Sequence, residues 1–239
     1  MDRVSRGGVV LLAAVSAALL AGCGSDSTND DGRALPELGP VVAAAPVSGP
    51  PLTDAAVLGR QLLGPEDLPQ GMEQVPQSNL DSTGAQSRTN PAECAQVLRP
   101  LARQRPDALT RNAVGFNGPN FSSIDIDAAT FSNDTLAGAF EAVQQTLRKC
   151  RSYSETDADD AVVEYRLGGL AQPVAGDAST SFQLRLTSEG FTLVSLVTVV
   201  QVGNTLTQVS VTAPESVDPG VLTDLTAAQV RSLKGVAGP

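Results

Sequence analysis

Residues 182–211 read FQLRLTSEGFTLVSLVTVVQVGNTLTQVSV, and this stretch decides the fold. Phe182 to Leu186, Phe191 to Val202 and Thr205 to Val211 are three runs rich in β-branched residues, which suit a pleated surface. Between them lie Ser188-Glu189-Gly190 and Gly203-Asn204, whose glycines supply the positive-φ backbone that a tight hairpin requires. Three strands joined in this way predict an antiparallel meander. Ala161 to Leu167 reads as a further strand, and Asp218-Pro219 opens a C-terminal helix through Leu222, Leu225 and Leu233 that would pack across the sheet.

Toward the N-terminus, Ile124-Asp125-Ile126-Asp127 alternates with period two and continues to Phe131, predicting a strand with both isoleucines turned to the core. Asn133 then caps a helix on which Leu136, Phe140, Val143, Leu147 and Cys150 fall on one stripe at steps of three and four. Asn90-Pro91-Ala92-Glu93-Cys94 has the form of a helix start, with Asn as cap, Pro at the first helical position and Glu three residues after the cap. A shorter helix is expected from Thr53-Asp54 through Leu62-Leu63 to Gly64-Pro65. Together these elements predict an α+β fold in one domain, an antiparallel β-sheet with helices packed on it.

Arg3 and Arg6 precede an apolar run from Val9 to Leu20, too short for a stop-transfer helix, and the run ends in Leu19-Leu20-Ala21-Gly22-Cys23. That ending resembles a lipobox, and the resemblance implies a cleavable lipoprotein signal peptide over 1–22 and acyl chains such as palmitate on Cys23. Two or three chains anchor stably, since each buried methylene adds about 0.8 kcal/mol. The polar and Pro/Ala-rich stretch that follows shows no helix or strand period, so 23–52 is expected to be a flexible tether and 53–239 the folded domain. The expected location is the cell membrane, lipid-anchored on its extracytoplasmic face.

Three cysteines leave one to explain in an exported chain; if Cys23 carries lipid, Cys94 and Cys150 remain as a pair in a compartment where disulfides persist. Two buried free thiols are the alternative. Aromatic residues make up 3% of the chain and Trp is missing, so Val, Leu, Ile and Ala must build the core. The formal charge is −10; residues 1–22 hold Arg3 and Arg6 against Asp2, so their removal leaves −11. A chain this acidic lacks the basic surface that nucleic acid binding demands.

The sequence contains no histidine, which removes Ser-His-Asp and Cys-His catalysis and imidazole metal ligation together. No cofactor motif is present, and no metal site is expected. Asp125 and Asp127 share one strand face and could flank a glycosidic bond, but with the isoleucines inward they read better as the solvated face of an amphipathic strand. Asp157, Asp159 and Asp160 read as a solvated turn, with too few oxygen ligands for calcium. Arg99, Arg103, Arg105 and Arg111 form a basic cluster; Arg99 and Arg103, four apart, could meet an anionic ligand if the helix continues through Pro100, or could pair with acidic residues of the chain.

The order of Asn90-Pro91-Ala92-Glu93-Cys94, the helix ending in Cys150, the meander and the C-terminal helix resembles the extracellular sensor domain of the PknH serine/threonine kinase and its stand-alone lipoprotein relatives in actinobacteria. Leu62-Leu63-Gly64-Pro65-Glu66-Asp67-Leu68-Pro69 resembles the start of such domains. The resemblance implies an antiparallel sheet with helices around a ligand cleft, and a first disulfide at Cys94 and Cys150. It departs at a second disulfide, for which the neighbourhoods of Leu184 and Val209 offer no cysteine, so cleft shape and ligand do not carry over. The expectation is a non-enzymatic envelope lipoprotein that binds an unknown ligand or protein partner. The alternatives are a carrier for lipid or hydrophobic molecules and a carbohydrate-active enzyme using the aspartate pair.

Overall fold

Three hairpin-linked runs rich in β-branched residues fold into the centre of one large antiparallel sheet. The computed structural model describes residues 34–76, 88–97 and 99–236. Its strands are β1 (Glu73–Gln74), β2 (Arg88–Asn90), β3 (Thr110–Asn117), β4 (Ser123–Thr130), β5 (Ser152–Thr156), β6 (Val162–Gly169), β7 (Ala178–Ser188), β8 (Phe191–Val202) and β9 (Thr205–Pro214). The helices are α1 (Ala55–Gly59), α2 (Leu101–Gln104), α3 (Leu136–Lys149) and α4 (Pro219–Leu233). Among the described residues the strands form one sheet in the order β1-β3-β4-β9-β8-β7-β6-β5-β2. Every pairing is antiparallel.

The sheet is covered on both faces, and its core is correspondingly split. On one face Val197, Val199, Leu206, Phe182 and Leu184 meet Leu136, Phe140, Val143 and Leu147 of α3. On the other, Val194, Leu196, Val209, Val211, Ile124 and Ile126 meet Leu58, Leu222 and Leu225 of α1 and α4. Strand β8 carries apolar residues of both parities, as expected of a strand buried on two sides. Each fully buried leucine or phenylalanine stabilises the fold by about 1.5–3 kcal/mol relative to an exposed one.

The meander and the C-terminal helix match the sequence reading. Phe191–Val202 is β8 residue for residue, Glu189 and Gly190 both adopt positive φ in the β7–β8 turn, and the Asp218 carboxylate caps α4 by accepting the Gly220 N–H at 2.8 Å. The disulfide is formed between Cys94 and Cys150, with Cα atoms 5.5 Å apart, tying a short 3₁₀ turn (Ala92–Gln96) to the end of α3.

Several local expectations are corrected. Asn90 does not cap a helix: it is the last residue of β2, paired with Ser154, and its backbone is committed to the sheet. Asn133 lies before α3, where its Oδ1 accepts the Asn204 side-chain amide at 2.7 Å and fastens the helix start to the β8–β9 turn. Helix α1 stops at Gly59: the chain goes on in tighter turns, the Gln61 and Leu62 N–H groups donating to the Leu58 and Gly59 carbonyls, and the Leu63 N–H, which a longer helix would spend on Gly59, goes to Gln229 Oε1 at 3.1 Å.

The largest departure is the expected tether. Cys23 and the signal segment lie outside the described residues, but residues 35–52 are not free chain. Leu38, Val42, Ala44 and Val47 pack on the core beneath α3. Gln144 of α3 accepts the Val42 N–H at 2.8 Å and donates to its carbonyl at 2.9 Å. Gln201 of β8 does the same for Ala45, at 2.7 and 2.9 Å. A segment without internal period is thus ordered by partners elsewhere in the chain, which supply the backbone bonds it cannot make with itself. The described residues from Leu35 onward belong to one compact unit, so the folded body starts well before Thr53.

Candidate functional site

Helix α4 packs its apolar stripe on the sheet and leaves a second flank facing the turn at 64–69. Pro65–Asp67 forms a single 3₁₀ turn, held by Asp67 Oδ2 accepting the Gly64 N–H at 3.1 Å. Gln229, fully buried in α4, grips the preceding chain, accepting from Leu63 N and donating to Gln61 O at 2.9 Å. The turn and the helix are thereby held apart at fixed spacing, and between them lies an open groove of about 750 Å³. Leu63, Leu68, Val221 and Leu225 line it with apolar surface, and Glu66, Asp67, Asp224 and Arg231 bring charge. A smaller cavity of about 250 Å³ sits on the other flank of α4, lined by Gln172, Val174, Thr198, Thr226 and Val230, and shares Arg231 with the groove. An apolar floor with a few polar groups is the ordinary make-up of a small-molecule or peptide site.

The residues singled out in the sequence lie elsewhere. Arg99 is exposed in the bend before Pro100, and Pro100 is the cap that precedes α2, so no continuous helix places Arg99 and Arg103 on one face. Arg103 is half-buried on α2 and has an interaction partner. Arg105 pairs with Asp107 through two hydrogen bonds, at 3.0 and 2.9 Å. Asp157 closes its own turn by accepting from the N–H groups of Asp159 and Ala161, and Asp160 pairs with Arg88. Among the described residues no group of three or more His, Cys, Asp or Glu is arranged to hold a metal.

The aspartate pair is split by its surroundings. Asp125 is exposed and accepts from the Ser123 hydroxyl at 3.2 Å. Asp127 is not solvated as its alternation implies: the face it shares with Asp125 is roofed at this point by α2, and its carboxylate accepts the Leu101 N–H at 2.7 Å. Burial raises its pKa to about 7, the Leu101 N–H opposes that rise and Asp125 adds to it. Of the two carboxylates only Asp125 is exposed, so they do not present the shared open face on which the glycosidase alternative depends.

The sequence reading missed Gln144, Gln201 and Gln229. Their common signal is a polar residue on a stripe otherwise apolar: Gln144 follows Phe140 by four on α3, and Gln201 interrupts the run Val199-Val200-Gln201-Val202. A buried amide must find partners, and a residue of this type inside a core pattern points to a backbone segment laid against it.

No family model matches the chain, and no curated protein matches it either. Solved structures do. The crystal structure of the extracellular domain of PknH from Mycobacterium tuberculosis superimposes with a TM-score of 0.55 at 10% identity, covering 73% of this chain and 93% of that one. An uncharacterised protein of Mycobacterium smegmatis, the Rv0999 ortholog, aligns with a TM-score of 0.38 at 12% identity, over 68% of this chain and 85% of that one. With its antiparallel sheet, flanking helices and single disulfide, the chain has the fold of the PknH extracellular domain.

Proposed function

We propose that this chain is a lipid-anchored extracytoplasmic lipoprotein whose folded domain binds a ligand or protein partner in the groove between α4 and the Gly64–Pro69 turn, without catalysing a reaction. The observation that carries this reading is the likeness in fold to a domain that works outside the cell. It agrees with the lipobox-like Leu19-Leu20-Ala21-Gly22-Cys23 and with a disulfide, which persists in oxidising compartments. The groove supplies fixed walls, because Gln229 holds one to the other. Recognition is then the mechanism: apolar contact on Leu63, Leu68 and Leu225, with orientation set by the charges around them.

Two measurements test it. Labelled palmitate is expected to enter the wild-type protein and not the Cys23→Ala variant; equal labelling of both rejects the anchor. Native mass spectrometry of membrane-extracted protein is expected to show a bound species that Ala228→Trp, which fills the groove, displaces. The carrier alternative is favoured by the same apolar floor, and a lipid mass in that experiment selects it.

A further inference from the structure

We propose that the channel beneath α3 is a binding groove for an extended peptide, and that the occupant it exchanges is residues 35–47 of a second copy of this chain. The present occupant shows what the groove accepts. Gln144 and Gln201, from a helix and a strand far apart in sequence, each satisfy both the N–H and the C=O of a single arm residue, Val42 and Ala45. Both amides are buried, at 3% and 0% exposure, so they serve the arm and not solvent. The Gly169 N–H donates to the Pro36 carbonyl at 2.8 Å, and a Cβ on Gly168 or Gly169 would collide with the arm. Arg151 pairs with Glu37, and Arg148 donates to the Gly39 carbonyl. Recognition through main-chain groups, with apolar side chains at intervals, is how extended peptides are bound.

All these contacts lie before Gly49-Pro50-Pro51, and Gly49 sits at φ 105° with open space around it. None needs the arm to belong to the body it covers. An arm that pivots at Gly49 into a neighbour's channel remakes every bond there, and the return exchange closes a two-fold dimer. The inference rests on the proposed anchoring in one respect: copies held in one membrane plane meet at raised effective concentration.

The Glu37–Arg151 pair permits a test in solution on the full mature chain carrying Cys23→Ser. Glu37→Arg sets two cations together within one copy, and Arg151→Glu sets two carboxylates together. Mixing the two copies restores opposite charges only if the arms cross over. An equimolar mixture is expected to give a heterodimer by light scattering, with a dimer fraction at least about tenfold above that of either variant alone, given two exposed pairs switched from repulsive to attractive. Adding Gly169→Leu to both copies puts a side chain where the arm lies and shuts out own and foreign arm alike, so it is expected to return the mixture to monomer. A mixture of folded variants that stays monomeric, or a heterodimer that survives Gly169→Leu, overturns the proposal. Should either variant fail to fold, Glu37→Lys with Arg151→Asp applies the same logic. No lipid is used, so failure here leaves the anchoring reading standing.

Discussion

The Asp127 carboxylate meets the Leu101 N–H at 2.7 Å from below, so a buried acid supports the first turn of α2. Burial lifts its pKa to about 7, above the ordinary carboxylate value that it takes in the unfolded chain. The native state therefore binds the proton more tightly. The stability this contributes is complete below about pH 4, is lost as pH rises toward 7, and is constant above that. Asp127→Asn keeps an acceptor for Leu101 and removes the titration. Urea unfolding across pH 4–8 is expected to show the variant gaining on wild type with rising pH, by a few kcal/mol at pH 8; parallel curves would refute the assignment.

Gln201→Ala leaves the Ala45 N–H and C=O without their partner inside the fold. The cost is on the order of 2 kcal/mol, because unmade buried hydrogen bonds cost more than made ones contribute. Hydrogen exchange should report faster loss of protection at Val42 and Ala45 than at β8, as the arm opens before the sheet does.

The rings of Tyr153 and Tyr165 stack 4.6 Å apart and nearly parallel. Tyr165 donates to Glu155 at 3.1 Å, whereas the Tyr153 hydroxyl is buried with no hydrogen-bond partner. Burial pushes the Tyr153 pKa up, ahead of the nearby Tyr165 and Glu155. Tyr153→Phe retains the stack and removes the unmet group, so its melting temperature is expected to equal or exceed that of wild type, by up to about 1 kcal/mol in stability. Tyr165→Phe, which breaks a made bond, is expected to lower it.

The Cys94–Cys150 bridge spans 56 residues and joins two elements of one core cluster. In the chain-entropy account a loop of this size contributes roughly 4 kcal/mol through the unfolded state. Replacing both cysteines by Ala should shift the urea midpoint down while leaving the far-ultraviolet circular dichroism of the native protein unchanged.

What could be read from the chain followed from periodicity. The three runs at 182–211 carry their strand signal in their own residues, and the α3 stripe carries its helix. The residues that misled are those whose partner lies far away. Asn90-Pro91 has the local form of a cap, yet β5 claims its backbone. Asp127 alternates outward like a solvated residue, but α2 closes over that face, and α2 itself has no sequence signal because it is four residues long. Residues 35–47 lack any period because their hydrogen bonds go to Gln144 and Gln201, a relation between positions more than a hundred residues apart. The groove on α4 was equally hidden, since it depends on the spacing that Gln229 sets across 166 residues.

Among the described residues the sheet ends on one side in the two residues Glu73 and Gln74 and on the other in Arg88, Thr89 and Asn90. Each of these described fragments covers part of a longer neighbour with a short, polar stretch of main chain. Long exposed borders are what recruit further chains into fibrils. For a protein proposed to crowd with its own copies on a membrane, these abbreviated margins keep lateral encounters from turning into irreversible stacking, and leave the arm groove as the route by which two copies join.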